Sequence, residues 1–282
     1  MSESGLTSAI DAVADLMRGR VSVAVTGAGI STDAGLPDYR GQGSTDVPSV
    51  DYDQFVSDPV WQRWVWQRNQ ETWGCASRLA PTPGHLALAR LERAGLVNGV
   101  ATQNIDGLHE RAGSAVVHEL HGTYKKVRCL DCGAVMSREA VDAQMRRLNP
   151  DVVDDPDPRH VAILATATRP EAEASNFVVA PCPRCGGLLK PAVVFFGEML
   201  PQDEMSAAYA LARQADVCLI VGTSLAVMTG MYVAIEAINH GADIVVINRG
   251  PTAADTYARV RIDAGASEVL EGVANTLLGK KD

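Results

Sequence analysis

An α/β fold, with a doubly wound parallel sheet and a smaller second lobe, is what this 282-residue sequence predicts. Three observations carry that expectation. Short apolar, β-rich runs alternate with amphipathic helical patterns, each run ends in small or polar residues, and two long stretches break the alternation. At roughly 100 to 200 residues per domain, the length permits one large domain or two modest ones.

The runs Val21 to Gly29, Gly95 to Asn104, Ala192 to Glu198, Ala215 to Ser224 and Ala242 to Gly250 read as strands buried on both faces. Between them, His85 to Ala94, Asp203 to Gln214, Met231 to Asn239 and Glu268 to Leu278 place leucines and alanines at helical spacing. The result is a Rossmann-like core expected over 1–41, 81–122 and 191–282. In such sheets ligands bind at the carboxyl ends of the strands, where the Gly, Asn, Thr and Ser residues fall. The interruptions are a helical insertion over 42–80, which holds all four tryptophans, and a module over 123–190, which holds four of the six cysteines. Together they are expected to form the smaller lobe. There is no internal repeat.

Composition narrows the function. Hydrophobic residues are 46% and charged residues 21%, which excludes a disordered tail or a fibre. The net charge of −9 repels phosphate backbones and argues against general nucleic-acid binding. The first 20 residues place Glu3, Asp11 and Asp15 among apolar residues at helical spacing, unlike an export signal. With no run near the roughly 20 apolar residues of a membrane-spanning helix, a cytoplasmic protein is expected. Disulfides are disfavoured there, so the cysteines call for another explanation.

Cys129-Leu130-Asp131-Cys132 and Cys182-Pro183-Arg184-Cys185 are paired CxxC knuckles, each with a Gly just after its second Cys. The spacing lets both thiolates of a knuckle reach one tetrahedral ion, and two knuckles close a four-thiolate zinc site with no open position. The 49 intervening residues make the ion a staple for a long loop, which is a structural task. A redox CxxC or free thiols are the alternatives. Cys75 and Cys218 read as buried thiols.

Gly27-Ala28-Gly29-Ile30-Ser31 follows the first strand, where backbone N–H groups could hold a pyrophosphate. The dehydrogenase fingerprint is incomplete, because Thr32 stands where GxGxxG needs its third Gly. Hydride transfer is therefore disfavoured. Gly35 and Pro37 interrupt any helix at once, which suggests a cofactor loop carrying Tyr39 and Arg40. Downstream, Gln103, Asn104 and Asp106 crowd polar side chains at a strand end, a common feature of polar ligand sites. His118 and His121 offer bases near neutral pH, and their separation of three differs from the metalloprotease HExxH spacing.

Taken together, GAGISTDAGLPDYRG, TQNIDGLH, ELHG, the two knuckles, KPAVVFFGE, VGTSL and VVINRG resemble, in order and over nearly the whole chain, the sirtuins, which are NAD-dependent protein deacylases. The Trp-rich insertion, VRCLDCG and RRLNP are most similar to the class II branch, which includes a mitochondrial deacylase of animals and many bacterial proteins.

The resemblance implies roles position by position. Gly27, Ala28, Gly29 and Ser31 would lie against the NAD phosphates and ribose, and Asp38, Tyr39 and Arg40 would belong to the cofactor loop. Tyr39 stands where most relatives have Phe. Gln103, Asn104, Ile105 and Asp106 would hold the nicotinamide ribose and carboxamide. His121 would be the general base, with Asn104 and Asp106 also catalytic. Gly222, Thr223 and Ser224 would form the second phosphate and ribose site, Asn248 and Arg249 would meet the adenosine ribose, and Ala266 the adenine. Val194, Phe196 and Gly197 would pair with an acylated-lysine peptide and line the acyl tunnel. Cys129, Cys132, Cys182 and Cys185 would hold one structural zinc.

The implied reaction transfers the acyl group of a modified lysine to ADP-ribose and releases nicotinamide. His121 would take a proton from a ribose hydroxyl, with free lysine and O-acyl-ADP-ribose as products. A mono-ADP-ribosyltransferase would use the same NAD site with another nucleophile. A zinc-containing binding module with a dead nucleotide site is the alternative of another class, opposed by the intact Asn104, Asp106 and His121. The sequence leaves the oligomeric state open.

Overall fold

The computed structural model describes residues 2–38, 49–161 and 168–280. Among them, strands β1 to β9 span Ser22–Thr26, Val97–Thr102, Val117–Glu119, Gly122–Cys129, Val135–Ser137, Leu189–Val193, Val217–Val221, Asp243–Ile247 and Ala258–Ile262. Helices α1 to α10 span Glu3–Met17, Tyr52–Ser57, Pro59–Ala76, Pro83–Arg93, Leu108–Ala112, Arg138–Leu148, Arg169–Glu173, Gln202–Gln214, Met228–Asn239 and Ala266–Leu278. No helix among the described residues is long and apolar enough to cross a membrane.

The chain divides into two compact units, the first made of residues 1–38, 80–121 and 201–282 and the second of 39–79 and 122–200. The first unit is built on a six-stranded parallel sheet in the order β3-β2-β1-β7-β8-β9. All five residues of β1 and of β7 are buried, as a sheet covered on both faces requires. Alternate residues serve opposite faces. Ala24, Val100, Leu219 and Val245 pack with Val13 and Met17 of α1, Leu88 and Leu91 of α4, and Val269, Leu270 and Val273 of α10. The other face is covered by α8 and α9, whose alanines Ala208, Ala212, Ala234 and Ala237 are fully buried. The strand order turns at β1 and β7, which places the topological switch point at the loops after these two strands.

The helix starts follow from local chemistry. Thr82 caps α4, its hydroxyl accepting from the His85 N–H, and Pro83 occupies the first helical position, where a missing N–H costs nothing. Asp51 forms a capping box with Gln54 at the start of α2.

The second unit holds a three-stranded antiparallel sheet, β5-β4-β6. Here the structure corrects two expectations. The apolar run Ala192 to Glu198 is not a strand of the parallel core: its strand, β6, ends at Val193 and pairs antiparallel with β4. The expected core segment 191–282 accordingly begins too early, since residues to Leu200 cluster with the second unit. A short apolar run reads alike in either kind of sheet, and periodicity alone does not separate them. Strands β3 and β9 escaped the sequence because they are short edge strands with half-exposed side chains.

Candidate functional site

Two glycine-rich loops meet at the switch point. Gly29 donates its N–H to the carbonyl of Gly222 at 2.8 Å, and Gly27 donates to Val221 at 3.2 Å. A Cβ on Gly29 would stand 2.8 Å from the backbone of Gly222, and one on Gly222, whose φ is +59°, would stand 2.4 Å from the Ile30 nitrogen. Only glycine permits that approach. Ala28 to Ile30 form a single 3-10 turn, followed by a second over Thr32–Ala34, in place of the long first helix of a dehydrogenase.

Onto this floor the ends of β1, β2 and β7 bring the polar residues. Asn104 donates through Nδ2 to the Gly27 carbonyl at 3.0 Å and to Ser31 Oγ at 3.1 Å. Ser31 in turn donates to Asp106 at 2.8 Å, and the other oxygen of Asp106 accepts the Leu108 N–H. Gln103 accepts from Thr223 Oγ1 at 2.8 Å, and its backbone carbonyl lies 2.9 Å from His121 Nδ1. Ser31, Asn104 and Thr223 are each at least 92% buried, yet all are hydrogen-bonded. Burial disfavours the imidazolium and lowers the His121 pKa below its usual value. Leu225, buried just past Thr223, has φ +55° and is pinned by its N–H to Thr223 Oγ1. Such strain concentrates at functional sites.

Nine anticipated residues, Gly27, Gly29, Ser31, Gln103, Asn104, Asp106, His121, Gly222 and Thr223, thus form one connected network. Ala28 and buried Ile105 sit within its segments. At the ends of β7 and β8, the Ser224 carbonyl accepts the Ala253 N–H, and Asn248 braces the following turn through the Arg249 and Gly250 carbonyls. Arg249 is exposed and lies over Gly265, next to buried Ala266 at the start of α10. Asp38 is exposed, while Tyr39 and Arg40 lie outside the described residues. The cradle of close-packed glycines and buried polar side chains fits a dinucleotide with its pyrophosphate over the loops.

Below the network the structure reveals two residues to which the sequence assigned no role. His85 and His109 are fully buried and meet edge-to-face, ring centroids 4.6 Å apart. His109 Nε2 lies 2.9 Å from Thr26 Oγ1, which donates to Thr102 Oγ1, itself the acceptor of the Asn104 N–H. On the other side, His85 Nδ1 lies 2.7 Å from Thr82 Oγ1, which donates to the Ile30 carbonyl. Burial, only partly offset by Asp106, lowers the His85 pKa to about 4, and burial followed by the neighbouring His85 holds His109 well below the ordinary value. Unfolding releases both rings to titrate near 6.5. The unfolded state therefore binds more protons below that value, and stability falls as the pH drops from about 6.5 toward 4. At about pH 5 the His85 contribution alone is a loss of about 2 kcal/mol. Thermal melts between about pH 5 and 7.5 should show this fall. Replacement His85→Gln, which keeps an acceptor for the Thr82 N–H, should flatten it, and an unchanged slope would dissociate acid sensitivity from this pair.

In the second unit, residues 194–197 leave β6 with Phe195 buried and Phe196 58% exposed. Val194 is half-buried, and Gly197, at φ +82°, turns the chain. Two anchors hold this segment. The Phe196 carbonyl accepts the Tyr52 N–H at 2.9 Å, and Phe195 packs edge-to-face on Phe55. Lys190, 2% exposed, pairs with Glu198 at 2.8 Å, and Glu198 accepts the Phe195 N–H. Trp66 and Trp73 cage the buried Arg138 guanidinium at 5.3 and 5.1 Å.

Cys129, Cys132, Cys182 and Cys185 bring their sulfurs within 4.8 Å of one another. The Cys129–Cys185 and Cys132–Cys182 separations are 3.5 and 3.9 Å. A tetrahedral ion with Zn–S bonds of about 2.3 Å has sulfurs about 3.8 Å apart, so the donor set fits. Each knuckle is a tight turn, closed by Gly133 N–H to Cys129 and by Gly186 N–H to Cys182. The N–H groups of Cys132, above all, and of Asp131 bring the Cys129 thiol down to about 7.

Fold and site together define a nucleotide-binding α/β protein with a polar, histidine-bearing switch point and a separate four-cysteine module. The Sir2 family profile matches residues 27–229. A curated Mycobacterium avium protein, NAD-dependent protein deacetylase 1, is 42% identical over 93% of each chain. The Bos taurus mitochondrial NAD-dependent protein lipoamidase sirtuin-4 is 38% identical over 87% of this chain and 79% of its own. A solved complex described as Sir2, p53 peptide and NAD+ superposes with a TM-score of 0.75 at 31% identity, covering 95% of this chain and 98% of that one. The chain belongs to the Sir2 family, the sirtuins.

Proposed function

We propose that this chain is an NAD-dependent protein lysine deacylase selective for neutral acyl groups, with His121 as its general base. The single observation that carries this reading is the connected network of His121, Gln103, Thr223, Asn104, Ser31 and Asp106 at the switch point of a Sir2-family fold. NAD, when bound, supplies the ribose that accepts the acyl group as nicotinamide departs.

The chain's own residues then have distinct tasks. The Gly27–Gly29 and Gly222 loops give the pyrophosphate a close-packed floor free of side chains, and Asn104, Ser31 and Asp106 orient the nicotinamide end. His121 takes the proton of a ribose hydroxyl, and burial keeps its ring neutral and therefore able to accept. Val194, Phe196 and Gly197 receive the backbone of the acylated-lysine peptide. The four cysteines hold one structural zinc, remote from the chemistry in function. Six cysteines without a disulfide favour a cytoplasmic location.

Acyl selectivity rests on two positions of the helical insertion and on the engagement of the arginines beside them. At the two places where the desuccinylating branch carries Tyr-x-x-Arg, Trp64 and Gln67 stand here. Gln67 is engaged by Glu71 and Ser175. The neighbouring arginines are also engaged, Arg63 with the Ser175 carbonyl and Arg68 with Glu71. A buried acyl carboxylate would thus lose hydration without a counter-charge, a penalty of several kcal/mol. Acetyl-lysine peptide should be turned over at least about tenfold better, by kcat/KM, than succinyl-lysine peptide of the same sequence. A succinyl rate equal to or above the acetyl rate would refute the selectivity and direct attention to Arg63 or Arg68. The same assay, read by mass spectrometry with labelled NAD, tests the activity itself. Label on O-acyl-ADP-ribose is the expected result, and label on protein would identify a mono-ADP-ribosyltransferase.

A further inference from the structure

His121 has a second polar neighbour that no motif announced. Thr229, at the start of α9 and 6% exposed, places Oγ1 2.7 Å from His121 Nε2. The same oxygen accepts from Gln103 Nε2 at 3.2 Å. Gln103 Nε2 also donates to the Val227 carbonyl at 3.1 Å, and Gln103 Oε1 accepts from Thr223. The following residue is Gly230, where a Cβ would stand 2.9 Å from both Gln103 Oε1 and Leu225 Cδ2. The glycine lets the amide lie against the start of the helix.

The proton positions follow from this geometry. The Gln103 carbonyl can only accept, so His121 Nδ1 carries the ring proton and Nε2 holds the lone pair. Thr229 must then be the donor to Nε2, leaving its own lone pairs for Gln103 Nε2–H. From this closed pattern we infer that Thr229 is a positioning residue for the general base, its hydroxyl holding the His121 ring with Nε2 basic and linking that ring to Gln103 until the ribose hydroxyl takes its place at Nε2. The inference rests on the deacylase reading of His121.

A donor at Nε2 favours the neutral ring, adding to the effect of burial. Protonation would reverse this bond and set the Thr229 hydroxyl proton against the Gln103 amide. Several charged groups on the surrounding elements have partners of their own. His118 of β3 pairs with Glu204 of α8, and Glu236 of α9 pairs with Arg213. Asp106 holds Ser31 and the Leu108 N–H, His109 holds Thr26, and Glu119 is also partnered.

The test uses the free protein first. Nitrogen-15 NMR of the histidine rings, with the His121 signals assigned by their loss in His121→Ala, should find His121 as the Nδ1–H tautomer. In Thr229→Val, which keeps the shape and removes the hydroxyl, its titration midpoint should rise by about half to one pH unit, the worth of one hydrogen bond. Thr229→Ser should restore it. Should Thr229→Val fail to fold, Thr229→Ala and the wild-type tautomer carry the same test. In turnover with acetyl-lysine peptide, Thr229→Val should lower kcat about 3- to 10-fold with KM for NAD nearly unchanged, and move the acid limb of the kcat profile upward with the midpoint. An Nε2–H tautomer in the wild type, or a midpoint unchanged from the wild type in both Thr229→Val and Thr229→Ala, would overturn the inference. Lack of deacylation by the wild type with the NMR result intact would instead refute the deacylase reading and leave the Thr229–His121 pairing standing.

Discussion

Replacing His121 by alanine should lower peptide deacylation by about 10² to 10⁴-fold, the usual worth of general acid–base catalysis, while NAD still binds. The split between binding and turnover follows from the architecture. The cradle proposed for the dinucleotide is made of the Gly27–Gly29 and Gly222 backbones, Asn104 and Ser31, none of which depends on the His121 side chain for its hydrogen bonds. The wild-type pH profile should carry the same signature. Because burial lowers the His121 pKa, the base stays neutral at mildly acidic pH, and activity should be lost as the pH falls through a midpoint below the ordinary histidine value. Calorimetry with NAD, run beside peptide turnover, separates the two effects. Wild-type turnover in His121→Ala would make His121 a packing residue, and a loss of NAD binding parallel to turnover would make it a binding residue.

Zinc removal is the second large effect. Purified protein should carry close to one zinc per chain, and Cys182→Ser or a strong chelator should unfold the region 123–190 and abolish activity indirectly. Cys129 and Cys182 are buried at the turns that follow β4 and precede β6, and 49 residues lie between the two knuckles. Closing such a loop through an ion couples metal affinity to folding, with binding free energies of about 10 to 16 kcal/mol in small zinc modules. Limited proteolysis gives the local readout: cleavage should appear within 123–190, with the six-stranded parallel sheet protected. Metal-free protein of full activity, or a Cys182→Ser protein as stable as the wild type, would remove the structural-zinc reading.

Much of this molecule was legible in one dimension. The apolar runs at β1, β2, β7 and β8 are buried on both faces, so their composition alone marks a parallel sheet, and the helices between them keep a clear 3.6-residue period. The CxxC pairs are equally legible, because both thiols of each knuckle are local and only the joining of two knuckles is long-range. Motifs at strand ends, such as Thr102 to Asp106, also announced themselves, since a cluster of polar side chains after an apolar run needs a partner. The segment 192–198 misled for the opposite reason. Its apolar residues satisfy either sheet, and the pairing with β4 that decides between them is made across about 60 residues of chain.

What the sequence by itself determined is therefore the class of sheet, the four cysteines that cluster, and the segments from which the polar site is drawn. Tertiary structure alone decided which of those residues touch and in what protonation state. No pattern in the chain links Thr229 to His121, 108 positions apart, or places His85 against His109 beneath the loops. Those relations depend on burial and on directed hydrogen bonds, both set by how strands and helices pack. A side chain's spacing in sequence states what it is, and its surroundings in the fold decide whether it holds a proton, gives one, or only holds a neighbour in place.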